Sequence, residues 1–224
     1  MVHADDKHNH NVTIRPARKD DLPEAIELLA HVFASDRAVR SILAHAADHD
    51  PVDFARAIYE IQVYGHYFER GKIDLAVEGD KIYGVGLWAK PGEQMSTARF
   101  VRLLPRYVKL FGRASAFVAR REARAEAAHP PFPHWYTFAL GVSPDAQGLG
   151  VGSTLLRHGL QRAGNSPVYL EASTPKSAAL YRSFGFVELG EIDIPGDKLS
   201  DPPEIAMWRE PAEPASAAYA NESK

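Results

Sequence analysis

The segment that most constrains the fold runs from an apolar stretch into a glycine-rich turn and then into a helix. It reads FALGVSPDAQGLGVGSTLL and covers residues 138–156. Inside an ordinary helix each of Gly148, Gly150 and Gly152 would cost about 1 kcal/mol relative to alanine, so their place before a helix needs another reason. The first amides of a helix lack partners within it and carry partial positive charge. The pattern therefore predicts an anion site at this turn, most often one for phosphate.

Two other phosphate-binding patterns do not fit this turn. The dinucleotide fingerprint G-x-G-x-x-G would require glycine where Ser153 or Leu155 stands, and a P-loop ends in Gly-Lys-Ser/Thr, which the turn lacks. The alternative is a tight strand-to-helix turn that binds nothing.

Composition indicates a globular protein with one main domain. The chain has 224 residues, 45% of them hydrophobic and 25% charged, which suffices for a sizeable core. We expect a disordered leader over residues 1–11, a single domain over 12–210 and a disordered tail over 211–224, because both ends are polar or rich in Ala, Pro and Ser.

Charge and cysteine usage limit the function classes. The formal net charge of −3 predicts no general affinity for nucleic acid, and no apolar stretch has the length of a membrane span. The absence of cysteine excludes disulfides, a thiolate zinc site and a cysteine nucleophile. We expect a cytoplasmic protein with no metal, no membrane and no nucleic-acid partner.

Hydrophobic periodicity predicts alternating strands and helices, and hence an α/β fold. Gly79-Asp80 marks a hairpin between two strands, and the segment from residue 135 reads strand–helix–strand–helix–strand. Between them, residues 93–128 read as a helical insertion, with Pro105 expected to kink or restart the helix. This insertion is rich in arginine. It is predicted to cover the side of a cleft at which a second substrate, the acceptor, would bind. The alternative is that its charges form only the solvated face of a helical hairpin.

The glycine turn and the segments around it resemble the GNAT N-acetyltransferases. Gln147, Gly150 and Gly152 match the Gln/Arg-x-x-Gly-x-Gly/Ala signature of that superfamily. YLEASTPKSAALYRSFGFVELGE resembles its next strand, helix and strand, and TIRPARKDDLPEAIELL resembles its usual opening. The blocks HWYTFALGVSPDAQGLGVGS and YLEAS…LYRSFGFV look, more narrowly, like the puromycin N-acetyltransferase-like branch.

The resemblance implies a three-layer α+β fold and acetyl-CoA as cosubstrate. Its central sheet would be mixed and mainly antiparallel, with helices on both faces and two parallel strands that splay apart to hold acetyl-CoA. The pantetheine arm would pair with backbone around Leu140, Gly141 and Val142, like an added strand. The pyrophosphate would meet the turn and helix start, formed by Gln147, Gly148, Leu149, Gly150, Val151, Gly152, Ser153 and Thr154.

Three hydroxyl residues near this site have a second interpretation. Thr154 either donates to the pyrophosphate or bonds back along its own helix. Ser177 occupies the small-residue position of the downstream motif, where it contacts CoA or only packs. Many members of the superfamily carry Asn where this chain has Thr174, so Thr174 is not assigned a contact.

Two residues are the candidates for catalysis. Tyr181 matches the tyrosine that lies beside the thioester sulfur in the family, where its phenol would protonate the departing thiolate. The alternative is an aromatic residue that only packs its helix. Glu171, at the end of a strand that opens towards the cleft, is the candidate for relaying the proton of the amine through water. Otherwise Glu171 accepts hydrogen bonds from loop amides, and His134 or His66 is a lesser candidate for the base.

The sequence therefore predicts an N-acetyltransferase that transfers an acetyl group from acetyl-CoA to a primary amine of a small molecule or peptide. The amine would attack the thioester directly in a ternary complex. The alternative is a CoA-binding regulatory or interaction domain without turnover. We expect a monomer or homodimer.

Overall fold

The computed structural model describes residues 12–46, 49–93 and 97–211. The predicted leader, residues 1–11, and all but the first residue of the predicted tail, 211–224, lie outside the described residues.

The core of the molecule is one seven-stranded sheet in the order β1-β2-β3-β4-β5-β7-β6. Its strands are β1 (Thr13–Pro16), β2 (Lys72–Glu78), β3 (Lys81–Ala89), β4 (Trp135–Val142), β5 (Val168–Ala172), β6 (Val187–Ile192) and β7 (Glu204–Arg209). β4 and β5 are parallel, and every other neighbouring pair in this sheet is antiparallel. The predicted mixed, mainly antiparallel sheet is confirmed.

Helices cover both faces of the sheet. They are α1 (Leu22–Phe33), α2 (Arg37–Leu43), α3 (Pro51–Gln62), α4 (Thr97–Phe111), α5 (Ser115–Ala128), α6 (Val151–Ala163) and α7 (Pro175–Ser183). Apolar side chains of α1 to α5 pack with one face, and those of α6 and α7 pack with the other. The result is the predicted three-layer arrangement.

Two helical details differ from the expectation. The helix α4 runs through Pro105 without restarting, and the break comes at a short 3₁₀ turn over Gly112–Ala114. Pro105 is tolerated because it lies on the exposed side of α4, where the carbonyl it leaves without a donor can bond to water. The helix α2 was not predicted, although Asp36 caps it by accepting a hydrogen bond from the Ala38 amide at 2.9 Å.

A single extra residue in β4 changes how this strand faces its neighbours. Leu87 of β3 pairs with Ala139 and Trp88 pairs with Thr137, so Phe138 is a bulge between them. Phe138 and Ala139 consequently pack into the same cluster beneath α1, although neighbouring residues of a regular strand point to opposite faces.

Directly after the bulge, the two parallel strands separate. Thr137 and Leu170 are the last paired residues of β4 and β5, yet β4 continues to Val142 and β5 to Ala172. The outer edges of both strands remain paired, β4 with β3 and β5 with β7. An opening therefore lies inside the sheet, bordered by backbone that has no partner strand.

A wide helical turn after α3 places Tyr67 near this opening, beside Phe138. The chain continues from α3 into a π-helical turn over Val63–Tyr67, in which the Phe68 amide bonds to the Val63 carbonyl at 2.9 Å. The ring centroids of Tyr67 and Tyr59 lie 5.2 and 6.3 Å from that of Phe138. Both tyrosines thus pack against the bulge.

None of the helices in the described ranges combines the length and the apolar character needed to cross a bilayer.

Candidate active site

The glycine turn adopts a backbone conformation that other residues rarely take. Gly148 and Gly150 have φ angles of 81° and 82°, and a Cβ built on either one would meet no atom within 4 Å. Glycine is therefore required here by the left-handed backbone and not by crowding from the protein. The space outside the turn is open to a ligand.

Most amides at this turn have no acceptor in the protein. The first intrahelical bond of α6 is donated by the Thr154 amide to the Gly150 carbonyl at 2.9 Å. Within the described part of the chain, no acceptor bonds to the amides of Gly148, Gly150, Val151, Gly152 and Ser153. These donors and the start of the helix dipole form the predicted anion-binding geometry.

The side chains of the turn serve mainly its own structure. The amide group of Gln147 is exposed and donates to the Val142 carbonyl at 3.3 Å. The Thr154 hydroxyl donates to the Gly150 carbonyl at 3.1 Å, which is the bond back along the helix given above as its alternative. Val151 is buried beneath the turn, and Leu149 is half-buried.

The predicted pantetheine strand lies along the opening. Leu140 and Val142 are half-buried and pack with the cluster at the start of α6. A Cβ on Gly141 would come within 3.0 Å of the Leu29 side chain, so glycine at this position lets α1 approach β4 closely.

The second half of α7 lies next to the start of α6. Leu180 is 4.0 Å from the position that a Cβ would take on Gly152. Thr174 caps α7, accepting from the Ser177 amide at 3.0 Å, while the Ser177 hydroxyl oxygen accepts from the Thr174 amide at 3.1 Å. Ser177 is thus engaged in a capping box, which accounts for its small polar side chain without a ligand.

Tyr181 has a buried ring and an open hydroxyl. Its side chain packs among residues of α6, α7 and the sheet, and the residue is 8% exposed. The hydroxyl makes no hydrogen bond with the described residues, yet it is not enclosed. Burial raises the pKa of Tyr181 to about 12, and the charge of Asp36 adds to the rise. The phenol therefore keeps its proton at neutral pH and can donate it.

Glu171 lies in a polar cluster on the other face of the sheet. The Tyr136 hydroxyl donates to its Oε2 at 3.0 Å, and the Tyr169 hydroxyl donates to its Oε1 at 3.4 Å. Among the described residues, the donors to this carboxyl are these two hydroxyls and not the loop amides of the alternative interpretation. Tyr169 and Glu171 are two apart on β5 and face the same way.

Burial and neighbouring charges hold Glu171 ready to exchange a proton near neutrality. Burial raises the pKa of Glu171 to about 7, and the carboxylate of Glu204 adds to the rise, while Arg121 and the Tyr136 hydrogen bond lower it. The side chain of Glu171 is 17% exposed, so it still reaches solvent. A pKa near 7 is what a general base at neutral pH requires.

A buried ion pair lies beside this carboxyl. The Nη2 atom of Arg121, on α5, donates to both carboxylate oxygens of Glu204 at 2.8 and 2.7 Å. Both side chains are buried, at 8% and 5% exposed. Because Glu204 belongs to β7, this pair ties the second helix of the 93–128 segment to the sheet next to Glu171.

Sequence reasoning missed the histidine and tyrosine groups of the cluster. The ring of His129 packs against Tyr169 at a tilt of 41° with ring centroids 4.1 Å apart, and its Nδ1 lies 3.0 Å from Nε2 of His134. His134, the lesser candidate for the base, contacts His129, whose other ring nitrogen lies 3.9 Å from Oε1 of Glu171. The alternation of Tyr169 and Glu171 along one strand was the available signal for this cluster.

The two candidate catalytic side chains lie on opposite faces of the sheet. Glu171 belongs to the polar cluster beneath α1 to α5, and Tyr181 belongs to the cluster of α6 and α7. The opening between β4 and β5, called the slot below, joins the two faces. Chemically, the arrangement offers a proton acceptor on one side of the slot and a proton donor on the other.

Comparison with known proteins identifies the family. Residues 109–188 match the family model described as Acetyltransferase (GNAT) domain. The chain is 46% identical over 63 residues to N-alpha-acetyltransferase RimI of Mycobacterium tuberculosis, which is 27% of this chain and 39% of the relative. The matched segment thus spans about two fifths of the length of that curated relative.

Solved structures extend the similarity to nearly the whole chain. A crystal structure described as histone acetyltransferase HPA2 and related acetyltransferase, from Corynebacterium glutamicum, is 37% identical, with a TM-score of 0.73. That match covers 92% of this chain and 99% of the other. The putative acetyltransferase yncA of Salmonella typhimurium, solved with its cofactor acetyl-CoA, shares the fold at 18% identity and a TM-score of 0.50, covering 92% of this chain and 98% of the other.

The family model and the first of these structures confirm an acetyl-transferring enzyme, as the sequence predicted. The chain belongs to the GNAT family of acetyltransferases.

Proposed function

We propose that this enzyme acetylates a primary amine of a small molecule or peptide, and that the amine attacks the thioester of acetyl-CoA directly in a ternary complex. The observation that carries the proposal is the pair of proton-exchanging side chains on either side of the β4–β5 opening. Glu171 takes the proton of the amine, through a water molecule, and Tyr181 gives a proton to the departing thiolate. An amine arriving from one face and a thiol leaving towards the other require this separation.

The free amides of the glycine turn support the placement of acetyl-CoA. Pyrophosphate at the start of α6 would accept hydrogen bonds from the amides between Gly148 and Ser153. The pantetheine arm would then run along β4, where the backbone after the bulge has no partner strand on the side of β5. This course leads from the turn to the slot beside Tyr181.

The contacts of α5 support the 93–128 segment as the cover of the acceptor side. Arg121 anchors α5 to Glu204, and the charge of Glu122, one residue on, is close enough to act on Glu171. The acceptor would therefore approach between this segment and the polar cluster. A substrate cation would meet carboxylates there before it loses its proton.

The matching blocks around HWYTFALGV and LYRSFGF support membership in the puromycin N-acetyltransferase-like branch, whose fold can serve more than one acceptor amine. Composition and net charge support a cytoplasmic location and the lack of a nucleic-acid partner, and we propose a monomer or homodimer.

Release of free CoA from acetyl-CoA tests the proposed reaction directly. A thiol reagent follows the product, and because the chain contains no cysteine the protein adds no background. A panel of aromatic amines, diamines, amino acids and peptides should contain acceptors that accelerate thiol release. A second outcome is that acetyl-CoA stabilises the protein but no acceptor releases thiol faster than it does with a Glu171→Gln variant. That outcome would favour the alternative, a CoA-binding domain without turnover.

A further inference from the structure

A hydrogen-bonded chain of two histidines begins at a backbone carbonyl. Nδ1 of His134 lies 2.6 Å from the Phe132 carbonyl, which can only accept a hydrogen bond. His134 Nδ1 therefore carries the proton, and the Nε2 atom of a neutral His134 presents a lone pair. The ring is 4% exposed and contacts Tyr169 and Trp208, so it cannot turn over freely.

The tautomer of His134 dictates the tautomer of His129. His129 Nδ1 is 3.0 Å from the His134 lone pair, so this nitrogen must donate. The other nitrogen of His129, Nε2, then has a lone pair, and it lies 3.9 Å from Oε1 of Glu171. Two lone pairs that face each other repel, which is consistent with this long distance between Nε2 and Oε1. A proton on Oε1 would turn this contact into a hydrogen bond.

The remaining contacts of Glu171 direct the proton to that oxygen. Tyr136 donates to Oε2 at 3.0 Å, whereas the Tyr169 hydroxyl is a weaker partner of Oε1 at 3.4 Å. The oxygen with the stronger donor is the poorer site for a proton. Oε1, the oxygen that faces His129, is therefore the oxygen that the proton takes.

Other charged groups around Glu171 act on both forms of the carboxyl. Glu204 and Glu122 favour the protonated form and Arg121 favours the carboxylate. Among the described residues, none of these three bonds to Oε1 or Oε2, so only the two tyrosines and His129 distinguish one oxygen from the other.

We propose that His134 and His129 form a fixed pair whose terminal lone pair receives the protonated oxygen of Glu171. This inference rests on the proposed role of Glu171 as the general base. An N–H bond of the substrate ammonium breaks, a water molecule passes its proton on, and an O–H bond forms on Oε1, which leaves a neutral amine to attack the thioester. The new O–H donates to Nε2 of His129. His129 stays neutral throughout and acts as a positioning residue.

The environment keeps His129 neutral over the working range. Burial lowers the pKa of His129 to about 4, and the neighbouring His134 adds to the lowering. Nε2 therefore remains an acceptor at neutral pH. A charged imidazolium would instead donate to Glu171 and favour its carboxylate form.

Imidazole ¹⁵N NMR of the unmodified protein tests the tautomers without any acceptor amine. We expect the neutral rings of His129 and His134, observed at pH 8, both to carry the proton on Nδ1, which is the less common tautomer of a free histidine. A proton on Nε2 of a neutral His129 at this pH would overturn the proposal.

The titration of Glu171, followed by ¹³C NMR of its carboxyl carbon, tests the consequence. His134→Phe keeps an aromatic ring but removes the acceptor of the His129 Nδ1 proton, so His129 can turn an N–H towards the carboxylate. The titration midpoint of Glu171 should fall by about half to one pH unit, which is the effect of one hydrogen bond on a pKa. An exposed control, His31→Gln, should leave the midpoint unchanged. An unchanged midpoint in His134→Phe would also overturn the proposal.

These measurements separate two failures. If the tautomers and the titration are as expected but Glu171→Gln retains full turnover, the assignment of Glu171 as base fails and the histidine pair stands as a structural device. If turnover requires Glu171 but His129 has the other tautomer, the proposed function stands and this inference fails.

Discussion

The hydroxyl of Tyr136 donates a hydrogen bond of 3.0 Å to Oε2 of Glu171, from β4 to β5, next to the opening between the two strands. This bond favours the carboxylate, in a site where burial favours the neutral acid.

Tyr136→Phe should raise the pKa of Glu171 above its value of about 7, because the carboxylate loses a donor. The base must be ionised to act, so the acidic limb of kcat/KM should move to higher pH by about half to one unit. Tyr169→Phe, which removes the longer contact of 3.4 Å, should give a smaller shift. A shift to lower pH in Tyr136→Phe would contradict the assignment.

Glu171→Gln should lower kcat/KM by about 10²–10⁴-fold and remove the acidic limb of its pH profile.

The Glu171→Gln variant should also change how the free energy of unfolding depends on pH. The pKa of Glu171 is raised from 4.5 to about 7 in the folded state, so the wild-type protein loses stability as pH rises between these values. The variant lacks this loss and should gain about 1–3 kcal/mol over wild type by pH 8, measured by urea unfolding at pH 4.5 and pH 8. Equal pH dependence in both proteins would show that the carboxyl titrates normally.

Gly150→Asp should abolish the rise in melting temperature that CoA produces by mass action. The substitution places a negative charge and a strained backbone where pyrophosphate would bind. Gly112→Asp is the matched control, because Gly112 also has a positive φ, of 49°, and open space around its Cβ position, but lies at the end of α4. If Gly150→Asp retains the CoA-dependent shift, the anion does not bind at this turn.

Tyr181→Phe should lower kcat by about 10²–10⁴-fold while the affinity for acetyl-CoA stays within a few-fold. The phenol keeps its proton because burial raises the pKa of Tyr181 to about 12, and the ring packing survives in phenylalanine. Tyr64→Phe, at a residue that is 45% exposed, controls for the loss of a hydroxyl. Normal turnover in Tyr181→Phe would leave protonation of the thiolate to water.

Glu204→Gln should destabilise the fold by about 3–5 kcal/mol, because it leaves the Arg121 guanidinium buried without its counter-charge. Asp201→Asn is the exposed counterpart, since Asp201 and Arg40 form an ion pair with side chains 42% and 46% exposed. That substitution should cost at most about 1 kcal/mol in the same urea titration. Equal costs for the two variants would show that solvent reaches the Arg121 pair.

Local patterns sufficed to predict the sheet, most helices and the glycine turn. The order of apolar residues gives the hairpin at Gly79 and the helix after Gly150 directly, because these features depend on neighbours in the sequence. The helix α2 was missed even though Asp36 is a standard capping residue, because the helix has only seven residues. Pro105 misled the prediction, because its exposed position in α4 was not apparent from sequence.

The polar cluster could not be predicted, because it depends on the register between distant strands. Tyr136 and Glu171 are 35 residues apart and meet because β4 pairs with β5 in one register out of several. His129 lies outside any strand, directly after α5. The positions of Ser177 and Thr154 in local caps likewise depend on backbone geometry that the family motif does not encode.

The bulge at Phe138 makes the slot a property of strand pairing, independent of any particular side chain. Deleting one residue there would restore regular alternation along β4 and exchange the faces to which every later residue of the strand points. If β4 and β5 then paired along their full lengths, the slot would close. The glycine turn and both proton-exchanging residues could be preserved without preventing this. Substitutions in α4 and α5, by contrast, leave this pairing untouched. A lineage of such enzymes can therefore vary its acceptors through the helices while the length of β4 between Trp135 and Val142 stays fixed.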